Sequence, residues 1–551
     1  MLLAVAGALA QRQDAGPFSH PRWVLGALAA LVAAGLGLRL AIAWQDLPTL
    51  INKTLPDDAF YYFGIARHIV EGNGPTFDGI HATNGFHPLW MGMLLPIFGF
   101  AGGDALPVHL ALTLSAVFGA ATVVVLFLAA HALTARRDVA LFAAGFFALH
   151  PPVIMHSMNG LESALALLLF VGAVLVYVRI QQRAWSGPAA WAGLGATLGL
   201  LTLARTDLAL LAVAAIAALP FVLRRGERLP AVALAAATAG LVVLPWFLWN
   251  LLTFGTVLQD SGHAVPYVVR ENYRYLHEGW ASDFQHGFTL TRDAVIHAIP
   301  LTYLVPGRAF RVPFLIGFPA GVAILLAVSS ATDRLRVWRS FRPLLPAVIA
   351  LAALIVVHAA LRWYLRSWYF MIVVPLAALT LAVLLTPYLE RGRRWGGLAL
   401  LGVVSALLLA GFAYRGVNDW DRGLYFCPTD TLSGSAWLQR NLTDGERVGA
   451  FNAGLLGYFS HRPVVNLDGS VNQSIFAAIQ ERELLRYVQR ERITYLVDSP
   501  YFLDSAFRLY WGDGIETITG QLQPVAEFAA CPSYPWGTTV VYRVPPELVS
   551  R

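Results

Sequence analysis

Eleven stretches of this chain are apolar over a length that can cross a bilayer. They lie near 23–44, 106–134, 138–157, 161–180, 188–204, 207–223, 230–251, 312–330, 343–361, 368–388 and 396–415. About 30 Å of hydrocarbon needs roughly 20 such residues. Inside lipid each backbone N–H and C=O must be paired within the segment, so each span is expected as a helix. The expected fold class is a polytopic α-helical membrane protein of about 11 transmembrane helices. Composition agrees: 57% of residues are hydrophobic and 13% charged, against about 25% charged in a soluble domain. A disordered chain and a disulfide-rich secreted scaffold are excluded, and the apolar excess argues against a soluble enzyme.

Charge is distributed by side rather than by domain function. The first 416 residues hold 28 basic and 18 acidic side chains, and the remainder 11 and 15. The basic excess falls in short connections, a topology signal, and implies no nucleic-acid partner. With a cytoplasmic N-terminus, sixteen arginines fall on inner segments, among them Arg136, Arg137, Arg224, Arg225, Arg334 and Arg336. The short outer connections carry three, Arg205, Arg362 and Arg366. This bias also places Leu89–Gly103, apolar but short, as a helix lying on the outer membrane surface. The opening MLLAVAGALA is too short to span and has no clear cleavage site.

Two long outer loops are expected, at about 45–105 and 252–311. The division is thus a membrane domain, 1–415, and a soluble extracytoplasmic domain, 416–551. The latter reads as a small α/β unit with candidate strands Arg447–Phe451, Pro463–Leu467, Ile493–Val497, Val525–Phe528 and Thr538–Arg543, and a helical stretch near Gln473–Arg492. Its Cys427 and Cys531 are the only cysteines. An oxidising compartment permits a disulfide between them, and two unrelated buried thiols fit equally well.

Four places could carry chemistry. Asp57 and Asp58 open an amphipathic helix in the first loop. One Asp suffices for an N-cap, and two adjacent carboxylates against an apolar surface repel and resist desolvation, which raises a carboxylate toward the range of a general base. Glu162 opens a span and would line the same cavity, or simply suit a helix N-terminus. Arg205 and Asp207 form a charged knot between two spans, with a local ion pair as the alternative. Arg362 and Arg366 stand among aromatics at the outer boundary. They could grip a phosphate with planar guanidinium forks, or form an interfacial belt. His81, His87, His150, His156 and His263 are also near that side, without metal-ligand spacing. No phosphate-binding loop or nucleophile elbow is present.

The segment PDDAFYYFGIARHIVEGNGPTFDGIHATNGFHPLW resembles the first outer loop of bacterial GT-C membrane glycosyltransferases, relatives of the protein O-mannosyltransferases and the lipid A aminoarabinose transferase. HSMNGLESAL, LARTD, PWFLWNLLTFGTVLQDSG, RSWYF and GAFNAGLLGYFSHRPVVNLDGSVNQ extend the likeness in order along most of the chain. The resemblance implies a GT-C-like fold in a bacterial cytoplasmic membrane and a sugar donor on a polyprenyl phosphate. The acceptor would be a lipid, glycan or protein on the outer face. It makes Asp57 the acceptor-activating base, Asp58 its neighbour and Glu162 the second acidic position. Arg205, Asp207, His87, Arg362 and Arg366 are then candidate substrate contacts. No cofactor is called for, and a divalent metal stays open. The second-loop motif departs from the pattern: Gln259, Asp260 and His263 stand where a Pro-Asn-Ser run and a lysine are expected.

The implied chemistry is a single inverting displacement, with proton removal contributing roughly 10²–10⁴-fold and preformed positive donors receiving the phosphate charge. A transporter or lipid flippase is the alternative of another class, and a catalytically silent scaffold a third. Spans nearly clean of charge in their middles, Arg39 being the nearest exception, and polar groups gathered at one face favour surface chemistry.

Overall fold

The computed structural model describes residues 21–276, 289, 330–361, 366–391, 394–424, 429–529 and 538–549. The expected span at 312–330, most of the second loop beyond Leu276, Arg362, Cys427 and Cys531 lie outside them, apart from the terminal residue Ser330. Among the described residues seven helices are long and apolar enough to cross a bilayer, from Arg22–Ala43 to Leu401–Arg422. Every other expected span coincides with a helix, although Pro188–Ala204 and Thr206–Val222 are shorter than these seven.

The expected span at 138–157 is a bent pair, Arg137–Ala148 and Pro151–Ser157, with 56° between its halves. The cause is local. Pro151 and Pro152 supply no N–H and push the preceding residue out of the helical region. His150 then caps the new start by accepting from Val153 N at 3.3 Å. Arg39, wholly buried in the first helix, donates to Gly35 O at 2.9 Å and Ala148 O at 3.3 Å, tying that helix to the bend.

The helix at the expected surface segment is Pro88–Phe100, 13 residues. At 1.5 Å per residue it is about 20 Å long, too short to cross. It buries Trp90, Met91, Leu94, Ile97 and Phe98, and Trp90 Nε1 donates to Gly160 O at 3.0 Å.

The last apolar helix runs unbroken from Arg394 to Arg422, past residue 416. The C-terminal sheet that follows has five strands, β1 (Arg447–Ala450), β2 (Val464–Asn466), β3 (Ile493–Asp498), β4 (Gln523–Phe528) and β5 (Thr539–Arg543), in the order β2-β1-β3-β5-β4. The pairs β1–β2 and β1–β3 are parallel, and β3–β5 and β4–β5 antiparallel. All five match the alternation or apolar runs read from the sequence. The single helix expected over Gln473–Arg492 is broken into a 3₁₀ turn and the helices Phe476–Glu481 and Leu484–Arg490. Arg482 adopts φ 58° at the break, and Glu483 N donates back to Ala478 O at 2.8 Å, a left-handed helix closure. The turn lets Ile475 and Ile479, then Leu484 and Val488, all face the same core.

Bundle, first loop and sheet domain are not separate bodies. One apolar cluster runs from Val24 through Phe60, Phe63 and Trp90 to Leu455, Leu456 and Tyr458. Each such side chain contributes about 1.5–3 kcal/mol on burial, so the sheet domain is seated by hydrophobic packing.

Candidate functional site

The helix Asp57–Val70 begins after Pro56, an N-cap that makes no side-chain hydrogen bond. Neither aspartate caps its own helix. Asp57 reaches the C-terminal domain instead: Oδ2 accepts from Gly454 N at 2.9 Å and Oδ1 from Leu455 N at 2.7 Å. A side chain at position 454 would meet the Asp57 carbonyl oxygen at 2.2 Å, so this approach needs glycine. Tyr61, one turn on, accepts from Ala453 N and Asn466 Nδ2 and donates to Phe451 O. Arg67 continues the seam with Tyr458 O at 2.9 Å and Asp104 at 2.7 Å.

Asp58 faces the other way. Among the described residues its carboxylate has no hydrogen-bond donor. Its charged surroundings are Arg366, which attracts, and Glu162, which repels. Burial, opposed by Arg366 and aided by Glu162, moves its carboxyl above the usual range. Burial also pushes Asp57 up to about 7, against its two backbone donors and with Asp58 and Asp498 adding repulsion.

Glu162 stands at the N-cap of Ser163–Gln181 without capping it. It is free to accept from Tyr62 Oη at 3.2 Å and Arg205 Nη1 at 3.3 Å. Gly160 brings it there: at φ +73° any side chain would press within 3.0 Å of Ala59, Leu55 and Phe63. Arg205 also grips Asp207 with two hydrogen bonds, Nε to Oδ1 at 3.0 Å and Nη2 to Oδ2 at 2.7 Å. The expected local ion pair therefore exists, and it extends to Glu162 and to His358, 3.2 Å from Asp207. His87 lies 3.9 Å from Glu162, and burial lowers its proton affinity. Gln259 Nε2 contacts His87 Nδ1 at 2.9 Å and Phe86 O at 3.1 Å. Asp260 pins the TNGFH segment, accepting from Thr83 Oγ1 at 3.1 Å while its own N–H donates to Asn84 Oδ1 at 2.8 Å.

These groups surround one cavity of about 770 Å³. It is lined by Asp57, Asp58, His87, Glu162, Arg205, Asp207 and Arg366, every candidate site residue within the described part of the membrane domain. Arg366 is exposed, with its guanidinium carbon 5.7 Å from the Trp368 ring centroid and no acidic hydrogen-bond partner among the described residues. Of the other histidines, His156 lines the cavity and bonds Ser367 at 2.8 Å. His81 pairs with Asp78 at 2.6 Å and Glu491 at 3.3 Å, His263 contacts Thr256, and His150 is the cap described above. No three His, Cys, Asp or Glu side chains among the described residues converge in a metal-holding geometry.

Sequence reasoning did not single out His358, Tyr62 or the far wall of the cavity, formed by Asp430, Asn452, Asp468, Asp498 and Tyr501. A signal for that wall existed. Phe451-Asn452, Asp468 and Asp498 fall at the carboxyl ends of three parallel strands, where open α/β sheets bind ligands.

Residues 430–543 match a family model described as a domain of unknown function, DUF8728. No curated protein matches the chain. Among solved structures, the oligosaccharyltransferase AglB from Archaeoglobus fulgidus, in complex with an inhibitory peptide and a dolichol-phosphate, is similar at 15% identity. The match covers 96% of this chain and 76% of that one, with a TM-score of 0.58. ArnT from Cupriavidus metallidurans bound to undecaprenyl phosphate is similar at 14% identity over 95% of this chain and 99% of that one, TM-score 0.56. Both are GT-C glycosyltransferases, and the likeness is one of fold. The chain has that fold: a multi-helix membrane bundle carrying a small C-terminal sheet domain.

Proposed function

We propose that this protein is an integral-membrane glycosyltransferase that moves a sugar from a polyprenyl-phosphate-type donor to an acceptor hydroxyl on the outer face of a bacterial cytoplasmic membrane. The N-terminus would be cytoplasmic and the C-terminal domain extracytoplasmic. The observation that carries this reading is the single cavity in which Asp58 opposes an Arg366 with no acidic hydrogen-bond partner, beside the Glu162–Arg205–Asp207 cluster. Two proteins of the same fold hold a dolichol-phosphate and an undecaprenyl phosphate, which supports a lipid phosphate as the leaving group here.

The acceptor oxygen attacks the anomeric carbon as the bond from that carbon to the phosphate oxygen breaks. The bonding pair leaves with the phosphate, and the acceptor proton passes to a carboxylate. Attack opposite the departing phosphate inverts the anomeric centre. The resemblance assigns the base to Asp57, but both of its oxygens already accept backbone N–H groups, which hold it in place and oppose its protonation. Asp58 carries no such donors, so we assign the base to Asp58 and give Asp57 a positioning role. Arg366 meets the developing phosphate charge. Arg205 is already bonded to two carboxylates, and orients Glu162 rather than binding an anion.

The test is incubation of purified protein in detergent with a panel of polyprenyl-phosphate sugars and a mixture of hydroxyl-bearing lipid, saccharide and peptide acceptors. Release of free lipid phosphate from one of them, lost in Asp58→Asn, is the expected result. A panel without any release removes the transfer reading and returns the transporter alternative.

A further inference from the structure

The C-terminal domain contributes about half of the cavity wall, and that half differs in chemistry from the other. The bundle side holds both lining arginines, Arg205 and Arg366. Among the described residues that the C-terminal domain turns to the cavity there is no arginine, lysine or histidine. Its polar groups there include the carboxylates of Asp430, Asp468 and Asp498. The strands β2, β1 and β3 are adjacent and parallel, so Asp468, Asn452 and Asp498 reach the cavity from one edge of the sheet. Asp498 ties two of these strand ends, accepting from Phe451 N at 2.9 Å, Asn452 N at 3.0 Å and Ser499 N at 2.8 Å. Just beyond, Tyr501 leaves 38% of its surface open while lining the same space.

We infer that this wall is the acceptor subsite and that it takes an uncharged saccharide, recognised by the Tyr501 ring and the Asp468 and Asn452 side chains at the strand ends. The inference rests on the transfer reading for the word acceptor, and on the wall itself for the ligand class. Carboxylates accept hydrogen bonds only, and saccharide hydroxyls donate them. A partly exposed tyrosine in a concave site suits the apolar face of a sugar ring. A phosphorylated or uronic acceptor would bring like charge against Asp468 and Asp498 with no cation among the described residues of that wall to answer it. The arginines on the opposite wall suit the donor phosphate, so the two substrates are sorted by charge across one cavity. This also gives the matched domain of unknown function a role, that of choosing what receives the sugar.

The test measures binding without requiring turnover. Full-length protein in detergent is examined by saturation-transfer NMR with uncharged gluco-, galacto-, manno-, rhamno- and arabino-oligosaccharides, their phosphorylated or uronic counterparts, and a Ser/Thr-containing peptide. The expected result is signal from at least one uncharged oligosaccharide, weakened about tenfold in affinity by Tyr501→Ala through loss of one stacking face and retained in Tyr501→Phe. Tyr501 is exposed, so its truncation leaves the core intact, and an unchanged melting temperature checks this. Binding of the charged ligands or the peptide alone, binding of none, or binding indifferent to Tyr501→Ala overturns the inference. Lipid-phosphate release, measured separately with a mixture of hydroxyl-bearing lipid, saccharide and peptide acceptors, tests the transfer reading. Release without saccharide binding removes the subsite alone; saccharide binding without release removes the transfer reading alone.

Discussion

Asp57 and Leu455 are 398 positions apart and joined by a 2.7 Å hydrogen bond from the Leu455 amide to the Asp57 carboxylate. With the neighbouring Gly454 amide on the other oxygen, the bond locks the first loop to the sheet domain at the rim of the cavity. Asp58, next along the helix, is left to face the substrate space. Adjacent aspartates thereby acquire separable effects. Asp58→Asn should leave thermal stability nearly unchanged and lower transfer by roughly 10²-fold or more. Asp57→Asn keeps at most one of its two acceptor contacts, and should lower the melting temperature and activity together. A stable, inactive Asp57→Asn beside an active Asp58→Asn would return the base to Asp57.

Gly454→Ala tests the lock from the other side. The added carbon would lie 2.2 Å from the Asp57 carbonyl oxygen, which is backbone and cannot rotate away. Relief requires the sheet domain to shift, at a cost of about 1–3 kcal/mol. The expected outcome is faster limited proteolysis between the last membrane helix and the sheet. Equal cleavage rates in wild type and variant would show the contact to be looser than described.

The Asp57 carboxyl also sets a pH dependence. Its folded value is about 7, raised by burial from 3.8 in a free side chain. The folded protein therefore holds more protons than the unfolded chain between about pH 4 and pH 7, and stability falls as pH rises through that window. The contribution is complete below about pH 4 and gone above about pH 7. Melting temperatures at about pH 5 and pH 8 should show the wild type losing more stability than Asp57→Asn. Parallel slopes would assign the effect to other buried carboxylates, of which Asp468 and Asp498 are both raised to about 6 by burial.

Arg366→Lys retains the charge and removes the planar fork. With no acidic hydrogen-bond partner to lose, the fold should be unaffected, and the KM for the lipid donor should rise about tenfold. Unchanged donor kinetics would leave Arg366 as part of an aromatic and cationic interfacial belt.

Topology is tested by reporter fusions. The sixteen-to-three arginine bias predicts that fusions after Arg394 and after Arg551 report opposite sides of the membrane. Signals from one side would reverse the reading of every loop.

Much of the helical bundle was legible because lipid imposes length and polarity on each span, and those are linear properties of sequence. The bend at His150 was not, since Pro151 and Pro152 lie inside a run that hydropathy alone scores as continuous. All five strands were legible as apolar runs between turn residues. The helix break at Arg482 was not, because a left-handed turn without glycine leaves no compositional mark. In the site, Asp57, Asp58, Glu162, Arg205 and Asp207 stand out as charges at the ends of apolar runs. The division of duty between Asp57 and Asp58 depends on Gly454, far away in sequence, and only the fold brings it near. The far wall of the cavity was hidden for the same reason: Asp468 and Asp498 look like ordinary strand-end residues until the order β2-β1-β3 aligns them.

The position of β5 carries a consequence for how the protein comes to life. It is the last strand in the chain, yet in the sheet it lies between β3 and β4, and Thr539 on it lines the cavity. The sheet cannot close before residue 543 has been made and delivered to the correct side. Until then the cavity has Asp58, Arg366 and most of its far wall in sequence but lacks Thr539 and the strand that joins β3 to β4. A chain that lacks β5 would leave β3 and β4 without the strand that joins them.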